Sequence, residues 1–394
     1  MLQTLGSFTI PPTSVAVLGN FVIHSVGNDA VRRRSVIRIT FLVVALAAVV
    51  LASCSSDLPQ SSLNPRSVEA ESIDRLWDFV FWLGIAVFVV VGGALAYAVI
   101  RFRKRPGNEH EPKQTHGNTR LEIVWSIIPV LILAVIAVPT LTTLFALRSP
   151  AEGDFLRVEV IGHQWWWEFQ YPDIVDENGR PLTTANELHL PAGMTSELTM
   201  TSVDVIHSFW VPSLAGKRDV VPGRFTVIKI TPDADIAGQM VPGQCAEYCG
   251  LSHADMRFRV FVDAEADFEA WAAGQLEASP IPTSGAAAAG YETFTALCTT
   301  CHQAKVSAAD GSVEVVGAAL GPDLTHFGSR TSLGAGVEEN TAEHLAGWLD
   351  NPESVKPMAP ELNDLAEGRI LGMPDYGLDE QQIQELVELL EAWK

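Results

Sequence analysis

The chain has 394 residues, 47% of them hydrophobic, with 26 Lys and Arg against 47 Asp and Glu and a formal net charge of −21. That acidity excludes nucleic acid as a partner, because affinity for it rests on Lys and Arg neutralising phosphates. It suits either plain colloidal solubility or the steering of a basic protein partner, and with four of the five cysteines in two short motifs, no thiol remains for a structural disulfide.

Arg32, Arg33, Arg34 and Arg38 precede an apolar run from Ile39 to Val50 and then Leu51-Ala52-Ser53-Cys54. This is the basic-then-apolar order of an export signal, and a cysteine directly after small residues resembles a bacterial lipobox, in which Cys54 is lipidated and becomes the mature N-terminus. Residues 1–53 are therefore expected to be a lipoprotein-type signal and 54–75 an extracytoplasmic segment. The alternative is an uncleaved anchor in which Cys54 is an ordinary residue. Residues before Arg32 lack export-signal character, in keeping with a functional start downstream of Met1.

Two further runs, Phe79 to Ile100 and Ile123 to Leu147, carry no charge. Each exceeds the roughly 20 residues that span a hydrocarbon core, which predicts a transmembrane helix hairpin over 76–148. Arg101, Arg103, Lys104, Arg105 and Lys113 outnumber Glu109 and Glu111 between the runs. The positive-inside rule puts that loop in the cytoplasm and both long ends outside.

From 149 to 271 the pattern changes to short β-rich runs broken by Gly and Pro, such as Leu156 to Gly162 and Arg224 to Ile230, which predicts a β-sandwich. Residues 272–290, with Pro280, Pro282 and an alanine run, read as a linker. Apolar residues then recur at helical spacing before Cys298, over Thr341 to Leu349 and over Asp379 to Trp393, so 291–394 is expected to be a small α-helical module. A buried cofactor would supply much of its core.

Cys245-Ala246-Glu247-Tyr248-Cys249-Gly250-Leu251-Ser252-His253-Ala254-Asp255-Met256 packs two thiols, an imidazole, a thioether and carboxylates into one loop, a soft donor set suited to copper. His207, at the end of an apolar stretch, is the candidate second imidazole. Two thiolates can bridge two metals, each with a terminal His, and so share an electron between them. Zinc also takes Cys2His2, but it leaves Met256 and the carboxylate between the thiols unexplained.

Cys298-Thr299-Thr300-Cys301-His302 is the C-x-x-C-H of covalently attached haem c. Cys298 and Cys301 would form the thioethers, and His302, adjacent to the attachment, would be the proximal ligand. The distal ligand must come from farther along the chain, and Met358, Met373 and His326 are the candidates; a Met there raises the potential.

These residues resemble cytochrome c oxidase subunit II carrying a fused cytochrome c, the caa-type arrangement. The resemblance covers almost the whole mature chain. It includes Leu121-Glu122-Ile123-Val124-Trp125-Ser126-Ile127-Ile128-Pro129, Gly162-His163-Gln164-Trp165-Trp166-Trp167-Glu168-Phe169, Val205-Ile206-His207-Ser208-Phe209, Pro212-Ser213-Leu214, Pro222-Gly223-Arg224 and Gly243-Gln244-Cys245.

The resemblance implies a two-helix hairpin, a cupredoxin-like sandwich and an all-α cytochrome c domain. It implies that His207, Cys245, Cys249, His253, Met256 and the Glu247 carbonyl bind dinuclear CuA, with the Glu247 side chain facing a Mg2+ shared with subunit I. Trp165 matches the position of electron entry into CuA, while Trp166 and Trp167 read as packing. Glu122 matches a carboxylate assisting proton entry into subunit I, its plainer reading being a helix-end acid in water. Met373, in Met-Pro followed by an aromatic and a final helix, resembles the distal haem ligand. Pro322 resembles the residue whose carbonyl orients the proximal imidazole. This chain departs from the pattern by about a dozen extra residues between Lys356-Pro357 and Met373, which keeps Met358 open as the ligand.

The expected function is electron relay, from a cytochrome c donor through haem c and CuA to haem a of subunit I, in a bacterial plasma-membrane oxidase that also contains subunit III, reduces oxygen and pumps protons. Two rivals are a CuA-containing nitric-oxide or nitrous-oxide reductase component, against which the Glu122-to-Pro129 motif argues, and a copper-delivery or redox-sensing lipoprotein, which needs no covalent haem.

Overall fold

Two apolar helices lead into a β-rich body and a helical end, in the order the sequence predicts. The computed structural model describes residues 58–104, 113–358 and 372–394, with single residues at 107 and 111 and isolated ones between 37 and 48. Cys54, most of the signal-like segment before it, and residues 359–371 lie outside the described residues. From 57 to 394 the chain is one unit.

Helices α1 (Val68–Phe102) and α2 (Thr119–Arg148) contain the two charge-free runs. Each has an 18-residue window of mean hydropathy 2.5 or 2.6, none of it buried. At 1.5 Å per residue either helix exceeds the roughly 30 Å of a hydrocarbon core. Ser67 caps α1 by accepting from Ala70 N at 3.0 Å, and the Glu69 carboxylate accepts from Thr231 N at 2.7 Å. The first turn of α1 is thereby fastened to the β body. At the start of α2, Asn118 accepts from Leu121 N and the Glu122 carboxylate accepts from Asn118 N at 3.2 Å, a reciprocal cap that satisfies two helix-end donors.

The β body is a sandwich. Strands β1 (Leu156–His163), β2 (Trp166–Val175), β3 (Pro181–Ala185), β5 (Ser196–Ser202) and β8 (Thr226–Ile230) form one sheet in the order β3-β2-β1-β5-β8. The other is β4-β10-β9-β6-β7, made of β4 (Glu187–Pro191), β6 (His207–Trp210), β7 (Arg218–Val220), β9 (Gln239–Cys245) and β10 (Arg257–Asp263). Alternate residues point inward, as Val158 and Val160 do on β1. Between the sheets Trp167 meets Phe209 and Phe258 edge-on at 5.7 and 5.6 Å, the geometry aromatic rings prefer.

Residues 272–290 are more ordered than a linker. Helix α3 (Glu265–Gln275) buries Phe268 and Ala272 on the sandwich, Ser279–Pro280 pairs as β11 with β12 (Ala304–Ser307), and α4 (Gly285–Leu297) contains the alanine run. The reason is physical: alanine is the strongest helix former, so four in a row extend the C-terminal module's first helix instead of making a tether.

Helices α5 (Ala342–Asp350), α6 (Pro352–Val355) and α7 (Glu380–Ala392) complete that module. It also holds short strands that helical periodicity does not signal: β12 pairs with β13 (Val313–Val316), and β14 (Ser332–Leu333) with β15 (Glu338–Glu339). Helices α4 and α7 cross closely at Gly290, where a Cβ would lie 2.1 Å from the Glu385 carbonyl oxygen. Phe294 and Trp393 pack edge-on at 5.0 Å beside this crossing.

Candidate copper centre and haem cavity

Strands β9 and β10 pair up to Gln244 and Arg257, and Cys245 N donates to Met256 O at 2.9 Å, so the ends of the thiol loop are pinned together. Pairing of Phe209 with Cys245 puts the start of β6, and with it His207, beside the loop. The Cys245 and Cys249 sulfurs are 3.8 Å apart, both free thiols. His207 Nδ1 lies 4.0 Å from Cys245 Sγ, His253 Nδ1 3.6 Å and Met256 Sδ 3.8 Å from Cys249 Sγ, and the Glu247 carbonyl 3.2 Å from Cys245 Sγ.

The other four expected donors thus converge on the two sulfurs, and the full set of six fits a pair of coppers bridged by thiolates. His207, Cys245, Cys249 and Met256 are buried, while the Glu247 side chain is exposed. The thiols titrate together: the hydrogen bond from Cys249 draws Cys245 down to about 4, and the resulting thiolate pushes Cys249 up.

Asp204, which sequence reasoning missed, organises this site. Its carboxylate takes the His207 Nε2–H at 2.9 Å and the Gln164 N–H at 2.6 Å. Burial pushes the Asp204 carboxyl up, but hydrogen bonds from His207, Val205 N and Gln164 N outweigh it and hold the group below the usual range. An Asp three residues before a His is too common a spacing to stand out in sequence.

The second site is a cavity of about 1280 Å³, counted with its open mouth. Cys298, Cys301 and His302 line one part, with Met358 and Met373 also in the wall. His302 Nδ1 is 2.7 Å from the Pro322 carbonyl. A carbonyl only accepts, so Nδ1 carries the proton and Nε2 is left with its lone pair, as an iron ligand requires. Burial pushes this imidazole's pKa down, against the Pro322 bond that raises it. A Cβ on Gly321 would lie 2.8 Å from the His302 ring, so that glycine gives the ring its room.

The cavity's apolar walls and the thiol pair beside a free imidazole nitrogen fit a covalently attached haem. Both methionines remain available as distal ligands: Met373 Sδ is 3.2 Å from Trp348 Nε1, and Met358 is buried against the sandwich core. His326 is not in the cavity wall, and its Nε2 is 3.1 Å from the Glu277 carbonyl.

Part of the cavity wall comes from the sandwich, through Gln164, Trp165, Trp166 and Asn186. Trp165 is buried, and its indole N–H donates to the Cys249 carbonyl at 3.0 Å. One side chain therefore touches both the haem cavity and the copper loop. Trp166 stacks on His163 at 4.0 Å, and Trp167 lies in the sandwich core.

The chain matches the family descriptions "Cytochrome C oxidase subunit II, transmembrane domain" over residues 58–143, "Cytochrome C oxidase subunit II, periplasmic domain" over 156–263 and "Cytochrome c" over 287–393. It is 33% identical over 362 residues to cytochrome c oxidase subunit 2 of Alkalihalophilus pseudofirmus, with 90% of this chain and 96% of the relative covered. The subunit 2 of Bacillus subtilis is 34% identical over 333 residues, covering 80% of this chain and 89% of the relative. That of Bacillus strain PS3 is 36% identical over 290 residues, covering 70% and 78%.

Proposed function

The chain belongs to the cytochrome c oxidase subunit II family, with a cytochrome c module fused at its C-terminus, and on that premise we propose which of its residues carry the relay. His207, Cys245, Cys249, His253, Met256 and the Glu247 carbonyl hold CuA, and Cys298, Cys301 and His302 hold haem c with Met373 as distal ligand. When bound, the two centres supply one-electron redox chemistry, with haem c taking electrons from a cytochrome donor and CuA delivering them to subunit I.

The protein's own residues hold that path. Asp204 fixes the His207 tautomer, Pro322 fixes that of His302, and Trp165 spans the wall between cavity and copper loop. The exposed Glu247 carboxylate is positioned for a Mg2+ at the contact with subunit I. Glu122, occupied as a helix cap in the isolated chain, takes its proton-entry role in contact with subunit I. With the basic loop inside, the hairpin sits in the bacterial plasma membrane beside subunits I and III, and both redox modules lie outside. Oxygen reduction belongs to subunit I.

The observation that carries this reading is the convergence of two imidazoles, a thioether and a carbonyl on two free thiols 3.8 Å apart. Metal and haem analysis of the full chain, produced with haem maturation and copper, tests it. Two coppers and one covalent haem per chain are expected; one copper, or zinc in its place, defeats the CuA assignment.

A further inference from the structure

Lys356 lies in the wall of the haem cavity, at the seam between the two modules. It belongs to the cytochrome module, yet only 3% of its surface is exposed. Its Nζ donates to the Trp165 carbonyl of the sandwich at 2.7 Å and to the Gly334 carbonyl of its own module at 3.0 Å. A desolvated ammonium is costly unless its donors find acceptors; two of the three donors are used here, and the bond to the Trp165 carbonyl exists only while the modules are docked.

A second contact works the same way from the other partner. Glu187 of β4 is buried, and one carboxylate oxygen accepts from Thr331 N at 2.8 Å, Thr331 Oγ1 at 2.7 Å, Ser332 N at 3.0 Å and Ser332 Oγ at 3.2 Å. Opening the contact would exchange these four donors for water. Around these two points lie Arg259 with Glu339, Lys305 with Asp176 at 3.0 Å, and Arg257 N donating to Ala335 O at 3.0 Å.

We propose that Lys356 is a positioning residue for electron transfer between the modules, pinning the backbone of Trp165 to the cytochrome module while Glu187 holds the other side of the contact on Thr331 and Ser332. The latch acts through Trp165, whose indole reaches the Cys249 carbonyl. It keeps the haem cavity and the copper loop in one fixed relation, so the cytochrome module passes electrons from its docked position without swinging on a tether. One electron leaves the reduced haem and one reduces the copper pair, and no bond to Lys356 forms or breaks. The inference rests on the CuA and haem c reading above.

The test uses the assembled oxidase with Lys356→Met, which keeps the apolar stem and removes the donors. After rapid photoreduction of haem c, electron equilibration with the copper pair is expected to slow severalfold, because the latch holds the two centres in one fixed relation. The haem spectrum, copper content and rate of haem reduction by external donor stay as in the parent, which separates positioning from general damage. An unchanged equilibration rate with both centres present overturns the latch. Missing haem or copper signals in the parent protein defeat the underlying reading instead.

If Lys356→Met does not assemble, two measurements still decide. Glu187→Gln is expected to slow the same equilibration, and an unchanged rate there counts against the latch. Acylation of the unsubstituted chain should modify Lys356 at least about tenfold more slowly than the exposed Lys217. Equal reactivity means that the contact opens freely, and the proposal falls.

Discussion

His207 donates its Nε2–H to Asp204 at 2.9 Å, on the side of the ring away from the Cys245 sulfur. An outer partner of this kind fixes the tautomer and the orientation of a metal-binding imidazole. Asp204→Ala is expected to lower copper affinity on the order of 10–100-fold, measured by competition with a chelator. Affinity equal to that of the parent would show that the carboxylate does not organise the site.

The Trp165 indole N–H shares the Cys249 carbonyl with the Gln164 side chain. Trp165→Phe keeps a ring against the copper loop and removes one hydrogen bond, at a stability cost of about 1 kcal/mol. Copper content should persist while electron transfer from haem c to the copper pair slows severalfold. Transfer at the parental rate would relegate the indole to packing.

Of the two methionines in the cavity wall, Met373 is assigned to the iron. Met373→Leu is expected to abolish the sulfur-to-iron absorption of the oxidised haem and to lower its potential, because a Met ligand raises it. Met358→Leu should leave both unchanged. The reverse pattern would transfer the ligand role to Met358.

Gly290 of α4 packs against the backbone of α7 at Glu385, with no room for a Cβ. Gly290→Ala places a Cβ against the Glu385 carbonyl and should destabilise the cytochrome module by about 1–3 kcal/mol, the usual scale of overpacking, despite alanine's better helix propensity. A melting temperature at or above that of the parent would show that the helices can part there without cost.

What the sequence made legible was the chemistry carried by short motifs. The loop from Cys245 to Met256 and the C-x-x-C-H at Cys298 name their donors within a few residues, and the two apolar runs announce themselves by length alone. His207, 38 residues before Cys245 along the chain, is a candidate from its place at the end of an apolar stretch that a sandwich could fold beside the loop, and the pairing of β6 with β9 brings it to the thiols. Contacts between modules were not legible. Lys356 and Glu187 look like ordinary surface charges in sequence, because their burial depends on partners more than 140 residues away. The alanine run misled for the opposite reason, since low complexity suggested a tether where local helix propensity governs.

The most direct test of the relay is to mix the assembled, fully oxidised oxidase with a reduced cytochrome donor and follow the haem c and CuA absorptions separately on the millisecond scale. Haem c should be reduced first, with copper reduction following at the rate of haem c reoxidation, and Lys356→Met should delay only the second phase. Copper reduced as fast as, or before, haem c would mean that electrons enter CuA without passing through the fused cytochrome module, contradicting the account.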